Sequence, residues 1–548
     1  MKIIIIGGVA GGASCAARLR RLSEEAEIIM FDRGPYVSFA NCGLPYYVGQ
    51  IITDEKRLLV ATPELFKERF NIEVRLEHEV LSIDRLKRIV QVKDLKTGNI
   101  AQQAYDALVL SPGASPLRPP IPGIDLEGIF AVRTIPDSRR IRLWIKEKDV
   151  KKAVIIGGGF IGLEMAENLS NSGIQVSILE MLGQVLAPLD MEMVFDVHDH
   201  LRQKGVALHL SEAVSAFKQL EGNLLGVVTR SGFVHETQIV ILAMGVQPET
   251  GLARDAGLEL GLKGAIKVDE SMRTNDPHIW AVGDAVEGKD FLTHEAVVVP
   301  LAGPANRQGR IAADSIVGRP VNFRGIQATA VCQVFDLTVA TTGATEKVLK
   351  RIGRPYEKIY LYPGHHVSYY PGARPIHMKL IFDPVDGQVL GAQAVGEEGV
   401  EKRIDVISMI IQKQGSVFDL EEAELCYAPQ YGAAKDPVNI AGMIAANVLR
   451  GDAPVCHWDR IDNNDALLID VRDTGEYERE HVPGAMNIPL DTLRAKLPTI
   501  PKDRKILLYC SVGQRSYYAT RVLRLNGLNA LNLSGGFQTY KAFQSEQP

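Results

Sequence analysis

Residues 153–162 read AVIIGGGFIG, an apolar strand that enters a glycine turn and continues into a helical segment. Residues 2–12, KIIIIGGVAGG, repeat this design with Val9 at the position of the middle glycine. In both copies a second apolar strand follows the helix, and these strands end at Asp32 and Glu180. A glycine turn at a helix N-terminus lets backbone N–H groups approach a pyrophosphate, and an acidic residue at this spacing can accept a hydrogen bond from a ribose hydroxyl. The pattern therefore predicts two dinucleotide sites in one chain.

Each predicted site combines a glycine turn, the first turn of the next helix and the acidic residue beyond it. At the first site these residues are Gly7, Gly8, Ala10, Gly11, Gly12, Asp32 and Arg33. At the second site they are Gly157, Gly159, Phe160, Ile161, Gly162 and Glu180. The Glu180 carboxylate favours the 2′-hydroxyl of NADH and repels the 2′-phosphate of NADPH, and no arginine follows immediately. NADH is thus the expected cofactor, and NADPH remains an alternative because basic residues from other loops could bind its phosphate.

Length, composition and charge place the chain among multidomain globular proteins. A chain of 548 residues with 46% hydrophobic and 23% charged residues exceeds the size of a single hydrophobic core. The formal net charge of −5 argues against a nucleic-acid-binding surface. The N-terminal residues read as a buried strand and not as a signal peptide, and every apolar run falls short of the ~20 residues that span a bilayer. The expectation is a cytoplasmic protein with no nucleic-acid and no membrane partner.

Three further stretches resemble segments of flavoproteins that contain two dinucleotide folds. Residues 274–284, TNDPHIWAVGD, are similar to the segment that closes the FAD site, where the acidic residue binds the ribityl hydroxyls. Residues 110–114, LSPGA, and 242–248, LAMGVQP, resemble the two chain crossings between the FAD and NAD modules. The resemblance implies FAD at the first site and the nicotinamide cofactor at the second. It adds as cofactor-binding residues Ser111, Gly113, Gly245, Gly283 and Asp284.

Residues 38–47, SFANCGLPYY, resemble the single-cysteine active-site motif of coenzyme A-disulfide reductases, NADH oxidases and NADH peroxidases, a branch of the pyridine nucleotide-disulfide oxidoreductase family. Other branches carry a CxxxxC pair near this position, and here Ser38 replaces the partner of Cys42. The six cysteines lie far apart without a CxxC pair, so neither a local redox disulfide nor a metal site is expected. Cys42 must then react with an outside partner, as a mixed disulfide, a persulfide or a sulfenic acid.

Two tyrosines extend the resemblance to the substrate site. Tyr369 and Tyr427 fall where coenzyme A-disulfide reductases carry substrate-site tyrosines, although the neighbouring Tyr370 and Tyr431 leave the register open. The resemblance implies a homodimer in which residues 427–439 reach the flavin site of the second subunit. A phenol there could protonate a departing thiolate.

Coenzyme A, as a substrate or a tightly bound ligand, would bring phosphates to the protein. Arg18 and Arg21, one helical turn apart, could bind them, although a solvated basic face explains these arginines equally well. Together with the family resemblance, this gives as substrate contacts Ser14, Arg18, Arg21, Ser38, Asn41, Asn306, Arg307 and Lys435.

The C-terminal part resembles a rhodanese domain in both halves of its pattern. Residues 467–473, LLIDVRD, open it, and residues 507–515, LLYCSVGQR, deliver Cys510 from a buried strand into a loop before a helix. Backbone N–H groups of such a loop, the helix N-terminus and Arg515 stabilise a thiolate and hold a persulfide. Cys510 is therefore expected to be a second reactive cysteine, with Gly513 and Arg515 as binding residues.

The expected fold class is α/β. It comprises two nested Rossmann-like domains, an α+β interface domain and an α/β rhodanese domain. A turn-rich, charged stretch around Asp459 to Asp465 suggests where the last domain begins. The expected boundaries are 1–148 and 266–324 for the FAD-binding domain, 149–265 for the NAD(P)H-binding domain, 325–448 for the interface and dimerisation domain, 449–460 for a linker and 461–548 for the rhodanese domain.

These motifs predict a reductase of small sulfur compounds. NADH would reduce FAD, FAD would reduce Cys42, and Cys42 would attack a sulfur–sulfur bond of coenzyme A disulfide, coenzyme A persulfide or polysulfide. Cys510 would collect sulfane sulfur from polysulfide, thiosulfate or another small donor, and its transfer to Cys42 could be direct or use a diffusing carrier. The main alternative is an NADH oxidase or peroxidase with a Cys42 sulfenic acid, and a second alternative is a sulfide or redox sensor.

Overall fold

The computed structural model describes residues 1–461 and 466–544. The stretch around Asp459 to Asp465, expected as a domain boundary, falls partly on residues 462–465 and to that extent lies outside the described residues. The end of the expected rhodanese domain, residues 545–548, also lies outside them. In the described part of the chain, no helix combines the length and the apolar character needed to cross a membrane.

The chain forms two compact units. The first contains residues 1–183 and 205–328, and the second contains residues 184–204 and the chain from residue 329 onward. Residues 184–204, which the expected boundaries assign to the NAD(P)H-binding domain, therefore pack with the C-terminal part of the chain.

Strands and helices alternate in residues 1–148. The strands are β1 (Lys2–Ile6), β2 (Glu27–Asp32), β3 (Glu73–Leu76), β4 (His78–Asp84), β5 (Ile89–Asp94), β6 (Ile100–Ala104), β7 (Ala107–Leu110), β8 (Ala114–Pro116) and β9 (Ile129–Ala131). The helices are α1 (Ala10–Leu22), α2 (Leu44–Val48), α3 (Pro63–Phe70) and α4 (Ile135–Glu147). The four isoleucines of β1 are buried, as expected for a parallel strand covered on both faces. Helix α4 begins with a capping box formed by Thr134 and Asp137.

Residues 149–324 repeat this alternation. The strands are β10 (Lys152–Ile156), β11 (Gln175–Leu179), β12 (Ala207–His209), β13 (Val214–Gln219), β14 (Leu225–Thr229), β15 (Val234–Thr237), β16 (Ile239–Leu242), β17 (Val246–Pro248), β18 (Ile279–Ala281), β19 (Gly288–Lys289) and β20 (Ala296–Val297). The helices are α5 (Phe160–Asn171), α6 (Met191–Gln203), α7 (Gly251–Asp255) and α8 (Ala302–Ile316).

Two parallel five-stranded sheets form the centre of the first unit. Their strand orders are β18-β7-β1-β2-β3 and β12-β11-β10-β16-β9. The antiparallel sheets β4-β5-β6 and β13-β14-β15 accompany them, and β8 pairs with β17 where the sequence suggested two chain crossings. Ligands of such parallel sheets bind beyond the carboxyl ends of the strands. The glycine turns after β1 and β10 lie at such ends.

The second unit contains one antiparallel and one parallel sheet, of orders β21-β22-β25-β24-β23 and β26-β30-β29-β27-β28. The strands are β21 (Ala330–Val334), β22 (Leu337–Gly343), β23 (Glu357–Leu361), β24 (Ile376–Phe382), β25 (Val389–Gly396), β26 (Val455–Cys456), β27 (Ala466–Asp470), β28 (Met486–Asn487), β29 (Lys505–Tyr509) and β30 (Ala530–Leu533). The helices are α9 (Glu346–Ile352), α10 (Val400–Gln412), α11 (Val417–Glu421), α12 (Pro437–Leu449), α13 (Thr474–Arg479), α14 (Leu490–Lys496), α15 (Gln514–Leu525) and α16 (Gly536–Gln544).

Lys379 on β24 explains why residues 184–204 belong to the second unit. Its fully buried ammonium lies 2.8 Å from Asp190 and 2.5 Å from both Glu192 and Glu346. Among the described residues these three carboxylates form a group whose spacing could suit a metal ion, but the Lys379 ammonium already bonds to all of them. Burial alone would raise the pKa of Glu346, and the Lys379 and Lys358 ammonium groups reverse this and hold it well below the usual value.

Polar contacts also join the antiparallel sheet of the second unit to its parallel sheet. They are the Tyr360 N–H to Ser534 Oγ at 2.9 Å, the Tyr362 and Thr539 hydroxyls at 3.0 Å, Lys358 Nζ to Asp459 at 3.1 Å and His457 Nε2 to Glu357 at 2.8 Å. Because Lys358 is fully buried, the contact with Asp459 belongs to the interior of the unit.

Candidate active sites

A cavity of about 630 Å³ lies beyond the carboxyl end of β1, where the first glycine turn leads into α1. The residues expected to bind FAD that line it are Gly7, Ala10, Gly11, Asp32, Arg33, Ser111, Gly113, Gly283 and Asp284. Asn41, expected as a substrate contact, also lines this cavity. The structure therefore brings together residues that lie more than 270 positions apart in the chain.

The glycine turn of this cavity has the geometry that a dinucleotide requires. A Cβ atom at Gly7 would lie 2.0 Å from the Ser111 carbonyl oxygen, and Gly7 has a φ of +94°. Asp32 accepts hydrogen bonds from the backbone N–H groups of Gly8 at 3.0 Å and Gly34 at 2.8 Å. Close backbone approach beside a carboxylate at the strand end suits a pyrophosphate and a ribose, so these residues fit FAD.

Charged residues that the sequence analysis did not select also line the FAD cavity. Glu249 lies 2.7 Å from Arg33 and 2.5 Å from Arg133. Burial raises the pKa of Asp284, and the Arg133 charge partly opposes this. Arg133 and Glu249 have no local sequence signal, because they meet Arg33 only through the fold.

The second glycine turn repeats the geometry of the first. Gly157 has a φ of +104°, and a Cβ atom there would lie 2.4 Å from the Ala243 carbonyl oxygen. Glu180 accepts hydrogen bonds from Gly158 N–H at 2.7 Å and Leu182 N–H at 2.8 Å, as Asp32 does at the first site. These residues fit a nicotinamide nucleotide.

The remaining glycines of the two turns divide into packing and open positions. A Cβ atom added to Gly12 would lie 1.9 Å from the Gly7 carbonyl oxygen, and one added to Gly162 would lie 2.0 Å from the Gly157 carbonyl oxygen. These two glycines therefore allow close packing. At Gly159, in contrast, apart from the adjacent residues, no heavy atom lies within 4 Å of the position that a Cβ atom would occupy. Open space here leaves room for a ligand beside the start of α5. The positions at that start are Gly159, Phe160, Ile161 and Gly162, and the expected contact Gly245 has a φ of +96°.

Cys42 lies in a short 3₁₀ turn, Asn41–Gly43, immediately before α2, and is exposed. The surrounding residues of the chain nevertheless raise the pKa of the Cys42 thiol, chiefly by desolvation and then through the negative charge of Glu164. Burial raises the pKa of Glu164 to about 7, while a hydrogen bond from Tyr46 at 3.4 Å opposes the shift. Glu164 lies in α5 and was not selected from the sequence, because 122 positions separate it from Cys42.

A second cavity, of about 370 Å³, collects the arginines proposed for a phosphorylated substrate. The expected substrate contacts that line it are Ser14, Arg18, Arg21, Ser38 and Asn306. Arg310 also lines it, whereas Arg307 lies over the ring of Phe323, 5.2 Å from its centroid. Helical spacing could have revealed Arg310, because residues four positions apart share a helix face and Asn306 had been selected.

One arginine of this cavity already has a partner inside the protein. Arg18 donates two hydrogen bonds to Asp314 Oδ1, at 2.7 and 3.2 Å, with both side chains largely buried. Ser14 Oγ donates to Asn306 Oδ1 at 2.6 Å. Arg18 therefore has both a structural role and a position at the cavity wall.

The second unit brings the two selected tyrosines together. The hydroxyls of Tyr369 and Tyr427 lie 2.7 Å apart, and both side chains are exposed. The hydrogen bond with Tyr369 raises the pKa of Tyr427. Lys435 is exposed in the same segment as Tyr427.

A buried ion pair holds the two tyrosine-bearing segments together. Arg403, which is 1% exposed, donates to Asp436 at 2.8 and 3.2 Å and to the His365 carbonyl oxygen at 2.8 Å. Val367 N–H also donates to the Gly432 carbonyl oxygen at 3.1 Å. These contacts tie residues 365–367 to residues 432–436.

Cys510 lies at the end of β29 in a loop that donates hydrogen bonds to its sulfur. Gly513 N–H lies 3.2 Å and Ser516 Oγ 3.5 Å from the Cys510 Sγ. Gly536 packs against the loop, since a Cβ atom there would lie 2.4 Å from the Cys510 carbonyl oxygen. The side chain of Arg515 bonds to Glu476 at 2.6 and 2.8 Å. One backbone N–H and one hydroxyl of this loop thus donate to the sulfur, and the arginine of the loop is paired with a carboxylate.

These sites have the features of a flavin- and nicotinamide-dependent oxidoreductase, and the chain carries in addition a loop whose N–H and O–H groups donate to the Cys510 sulfur. The sequence profile described as pyridine nucleotide-disulphide oxidoreductase matches residues 1–309, and that of the corresponding dimerisation domain matches residues 329–436. The profile of the rhodanese-like domain matches residues 454–543. The chain belongs to the pyridine nucleotide-disulphide oxidoreductase family and carries a rhodanese-like domain.

Individual relatives make the similarity more specific. Coenzyme A disulfide reductase from Staphylococcus aureus (strain JH9) is 36% identical over 442 residues, which cover 80% of this chain and 99% of that protein. The structure of reduced Bacillus anthracis CoADR-RHD is 48% identical with a TM-score of 0.97, and the match covers 100% of this chain and 98% of that one. The NAD-dependent persulfide reductase from A. fulgidus is 36% identical with a TM-score of 0.91, and the match covers 98% of this chain and 100% of that one.

The comparisons confirm the recognition made from motifs and the α/β fold class with its dimerisation and rhodanese-like domains. FAD and a nicotinamide nucleotide are the cofactors of this oxidoreductase. The glycine turns and carboxylates described above fit both of them.

Proposed function

We propose that this protein is an FAD-dependent NAD(P)H oxidoreductase that reduces sulfur–sulfur bonds of coenzyme A disulfide, coenzyme A persulfide or polysulfide. One observation carries the proposal: residues of the loop that contains the exposed Cys42 line both of the cavities described above. Asn41 lines the FAD cavity, and Ser38 lines the arginine-rich cavity. A thiol in this loop can meet the cofactor from one cavity and an anionic thiol compound from the other.

Cys42 carries the sulfur chemistry in this proposal. FAD, when bound, supplies Cys42 with the two electrons that the nicotinamide nucleotide provides. The Cys42 thiolate attacks one sulfur of coenzyme A disulfide, so the substrate S–S bond breaks, one coenzyme A thiolate leaves and a mixed disulfide forms. Two electrons then break the mixed disulfide and release the second thiolate. With coenzyme A persulfide, attack on the inner sulfur releases hydrosulfide and forms the same mixed disulfide.

The tyrosine pair serves proton transfer to the leaving thiolate. A tyrosine phenol is protonated at neutral pH, and the hydrogen bond with Tyr369 raises the pKa of Tyr427 further, so Tyr427 can donate a proton. We propose that the pair acts at the Cys42 site of the partner subunit in a homodimer, with Lys435 near the ligand. The match to the family's dimerisation domain supports this assembly.

The arginine-rich cavity is the proposed site for the phosphates of coenzyme A. Arg18, Arg21 and Arg310 line it, and guanidinium groups bind phosphate oxygens through paired hydrogen bonds. Arg18 is paired with Asp314, so Arg21 and Arg310 provide the main positive charge. The similarity to coenzyme A disulfide reductase supports this ligand.

Cys510 is the proposed carrier of sulfane sulfur in the rhodanese-like domain. Its loop offers N–H and O–H donors to a sulfur anion, and helix α15 begins directly after Gly513. Small sulfur compounds are its proposed donors. The two alternative functions are less favoured, because an NADH oxidase or peroxidase has no use for this loop or for the tyrosine pair, and a sensor needs no sulfur carrier.

Acceptor specificity under anaerobic conditions tests the proposal. NADH consumption by the FAD-loaded protein is measured with coenzyme A disulfide, coenzyme A persulfide, polysulfide and peroxide, and oxygen is tested separately. We expect multiple turnovers with a sulfur acceptor, loss of these turnovers in Cys42→Ser, and loss of sulfur transfer from small donors in Cys510→Ser.

Other results would contradict the proposal. Fastest turnover with peroxide or oxygen, together with no effect of Cys510→Ser on any acceptor, would support the oxidase or peroxidase reading. A single reduction event without further turnover on any acceptor would support the sensor. The domain boundaries, the preference for NADH over NADPH and the cytoplasmic location stay predictions.

A further inference from the structure

The arginine of the Cys510 loop has its charge neutralised by a carboxylate. Arg515 donates to both oxygens of Glu476, at 2.6 and 2.8 Å, and a second carboxylate, that of Asp473, lies 3.6 Å away. Arg515 and Glu476 are about 70% buried, so solvent screens the pair only in part. The side chain of Arg515 therefore offers little net positive charge to a ligand at Cys510.

The second arginine near the loop is also paired. Arg472 donates to both oxygens of Asp470 at 2.7 to 3.0 Å, and its guanidinium lies 4.3 Å from the ring centroid of Phe537, the residue whose N–H donates to the Cys510 carbonyl oxygen. Two arginines thus face three carboxylates, those of Asp470, Asp473 and Glu476. A further cation, the Lys541 ammonium, lies 5.7 Å from the centroid of the same Phe537 ring. Both arginines are nevertheless paired with carboxylates of their own.

The groups that contact the sulfur itself are neutral donors. Gly513 N–H and Ser516 Oγ donate to Cys510 Sγ, and the start of α15 adds a partial positive charge. Such a cradle stabilises one negative charge on a thiolate or a persulfide. A donor that brings two negative charges next to its sulfane sulfur meets arginines that are already paired with carboxylates, so neither guanidinium is fully available to balance the second charge.

We propose that Glu476 determines the sulfur-donor specificity of Cys510. By neutralising Arg515, it restricts the loop to donors with at most one negative charge beside the sulfane sulfur, which are organic persulfides, and disfavours the thiosulfate dianion. The inference rests on the proposed role of Cys510 as a sulfur carrier. The Cys510 thiolate attacks the terminal sulfur of a persulfide R–S–SH, the donor S–S bond breaks, Cys510 becomes Cys–S–SH and the thiolate RS⁻ leaves, with no net oxidation.

A neutral isostere tests the role of the carboxylate. Glu476→Gln keeps the size of the side chain and its place in the helix cap, where Gln is accepted in the same way as Glu. The matched control is Glu478→Gln, which removes an equal charge from an exposed position of the same helix. Sulfur transfer to cyanide is measured in the full-length FAD-loaded protein with thiosulfate and with coenzyme A persulfide as donors.

Donor selectivity is the quantity compared. We expect Glu476→Gln to raise the thiosulfate to persulfide ratio of kcat/KM by about tenfold, mainly through a lower KM for thiosulfate, because a cation becomes available to a dianion. Glu478→Gln should leave the ratio unchanged. Addition of Arg515→Gln to Glu476→Gln should return the ratio to the wild-type value, which a merely structural effect would not do.

The outcomes separate this inference from the proposed function. An unchanged ratio in Glu476→Gln, or a raised ratio that persists in the double variant, overturns the role of Glu476 while Cys510 remains the carrier. If Cys510→Ser transfers sulfur as fast as wild type from both donors, the carrier role itself is wrong. A fall in thermal stability of Glu476→Gln does not affect the reading, because the ratio compares two donors on the same folded protein.

Discussion

Glu164 places a titrating negative charge near Cys42, the proposed reactive thiol. With a pKa of about 7, it is protonated in mild acid and ionised above neutrality, where its charge opposes formation of the Cys42 thiolate. We expect Glu164→Gln to lower the apparent pKa of Cys42, which makes alkylation near pH 8 roughly threefold faster. At pH 6, where Glu164 is protonated, the variant and wild type should react alike.

Mass spectrometry of the FAD-loaded protein measures this effect on the Cys42 peptide after timed treatment with iodoacetamide. Cys426 is also exposed and serves as an internal reference in the same samples. Identical pH profiles in both proteins would show that the Glu164 charge does not reach Cys42.

The open position at Gly159 permits a second residue-scale prediction. Because no atom lies within 4 Å of a built Cβ and the backbone φ is −79°, alanine fits the protein itself. We expect Gly159→Ala to keep its FAD content and thermal midpoint and to raise the KM for NADH about tenfold or more, because the methyl group enters the space proposed for the pyrophosphate. Unchanged NADH kinetics in a normally folded Gly159→Ala would place the nucleotide elsewhere.

At the scale of elements, Arg403 fixes the segments that carry Tyr369 and Tyr427. Its partner Asp436 is 4% exposed and also caps α12, so loss of the guanidinium leaves a buried carboxylate without its cation. We expect Arg403→Met to destabilise the second unit by about 3 kcal/mol, the usual effect of breaking a buried pair from one side. Thermal unfolding of the full chain measures this.

Arg450 provides the matched control for Arg403. It pairs with Glu421 at 2.7 Å with 45% of its side chain exposed, so Arg450→Met should destabilise the chain much less than Arg403→Met. Equal effects of the two substitutions would show that burial does not distinguish these ion pairs.

Elements with a local signature could be predicted from the sequence, and contacts made only by folding could not. The two strand, turn and helix units follow from short glycine and isoleucine patterns, and the Cys42 and Cys510 loops follow from contiguous motifs. Glu164 and Glu249 reach their sites over more than 100 positions of the chain, so no local pattern marks them. The membership of residues 184–204 in the second unit could not be predicted for the same reason, because Asp190 in this segment bonds to Lys379, nearly 190 positions away.

At the scale of the whole molecule, the buried charges make the second unit sensitive to acid. The pKa of Glu346 in the folded chain lies below its usual value of 4.5, so its ion pairs contribute stability above about pH 4.5 that is lost as the pH falls through the lowered value. Glu346→Gln should therefore lower the thermal midpoint at pH 7, and its difference from wild type should shrink by pH 3. Glu424→Gln, at an exposed position, should match wild type at both pH values.

Buried residues of strand β23, in the antiparallel sheet, contact the rhodanese-like domain directly. The Lys358 ammonium on β23 forms an ion pair with Asp459, and the Tyr360 N–H donates a hydrogen bond to Ser534 Oγ. Asp459 and Ser534 both belong to the rhodanese-like domain. Deleting residues 449–548 would remove Asp459 and Ser534 and expose the buried Lys358 and Tyr360 side chains to solvent, while Lys358 would keep its ion pair with Glu346. Calorimetry of the intact chain should accordingly give a single endotherm for both sheets, because these contacts couple the unfolding of one sheet to that of the other.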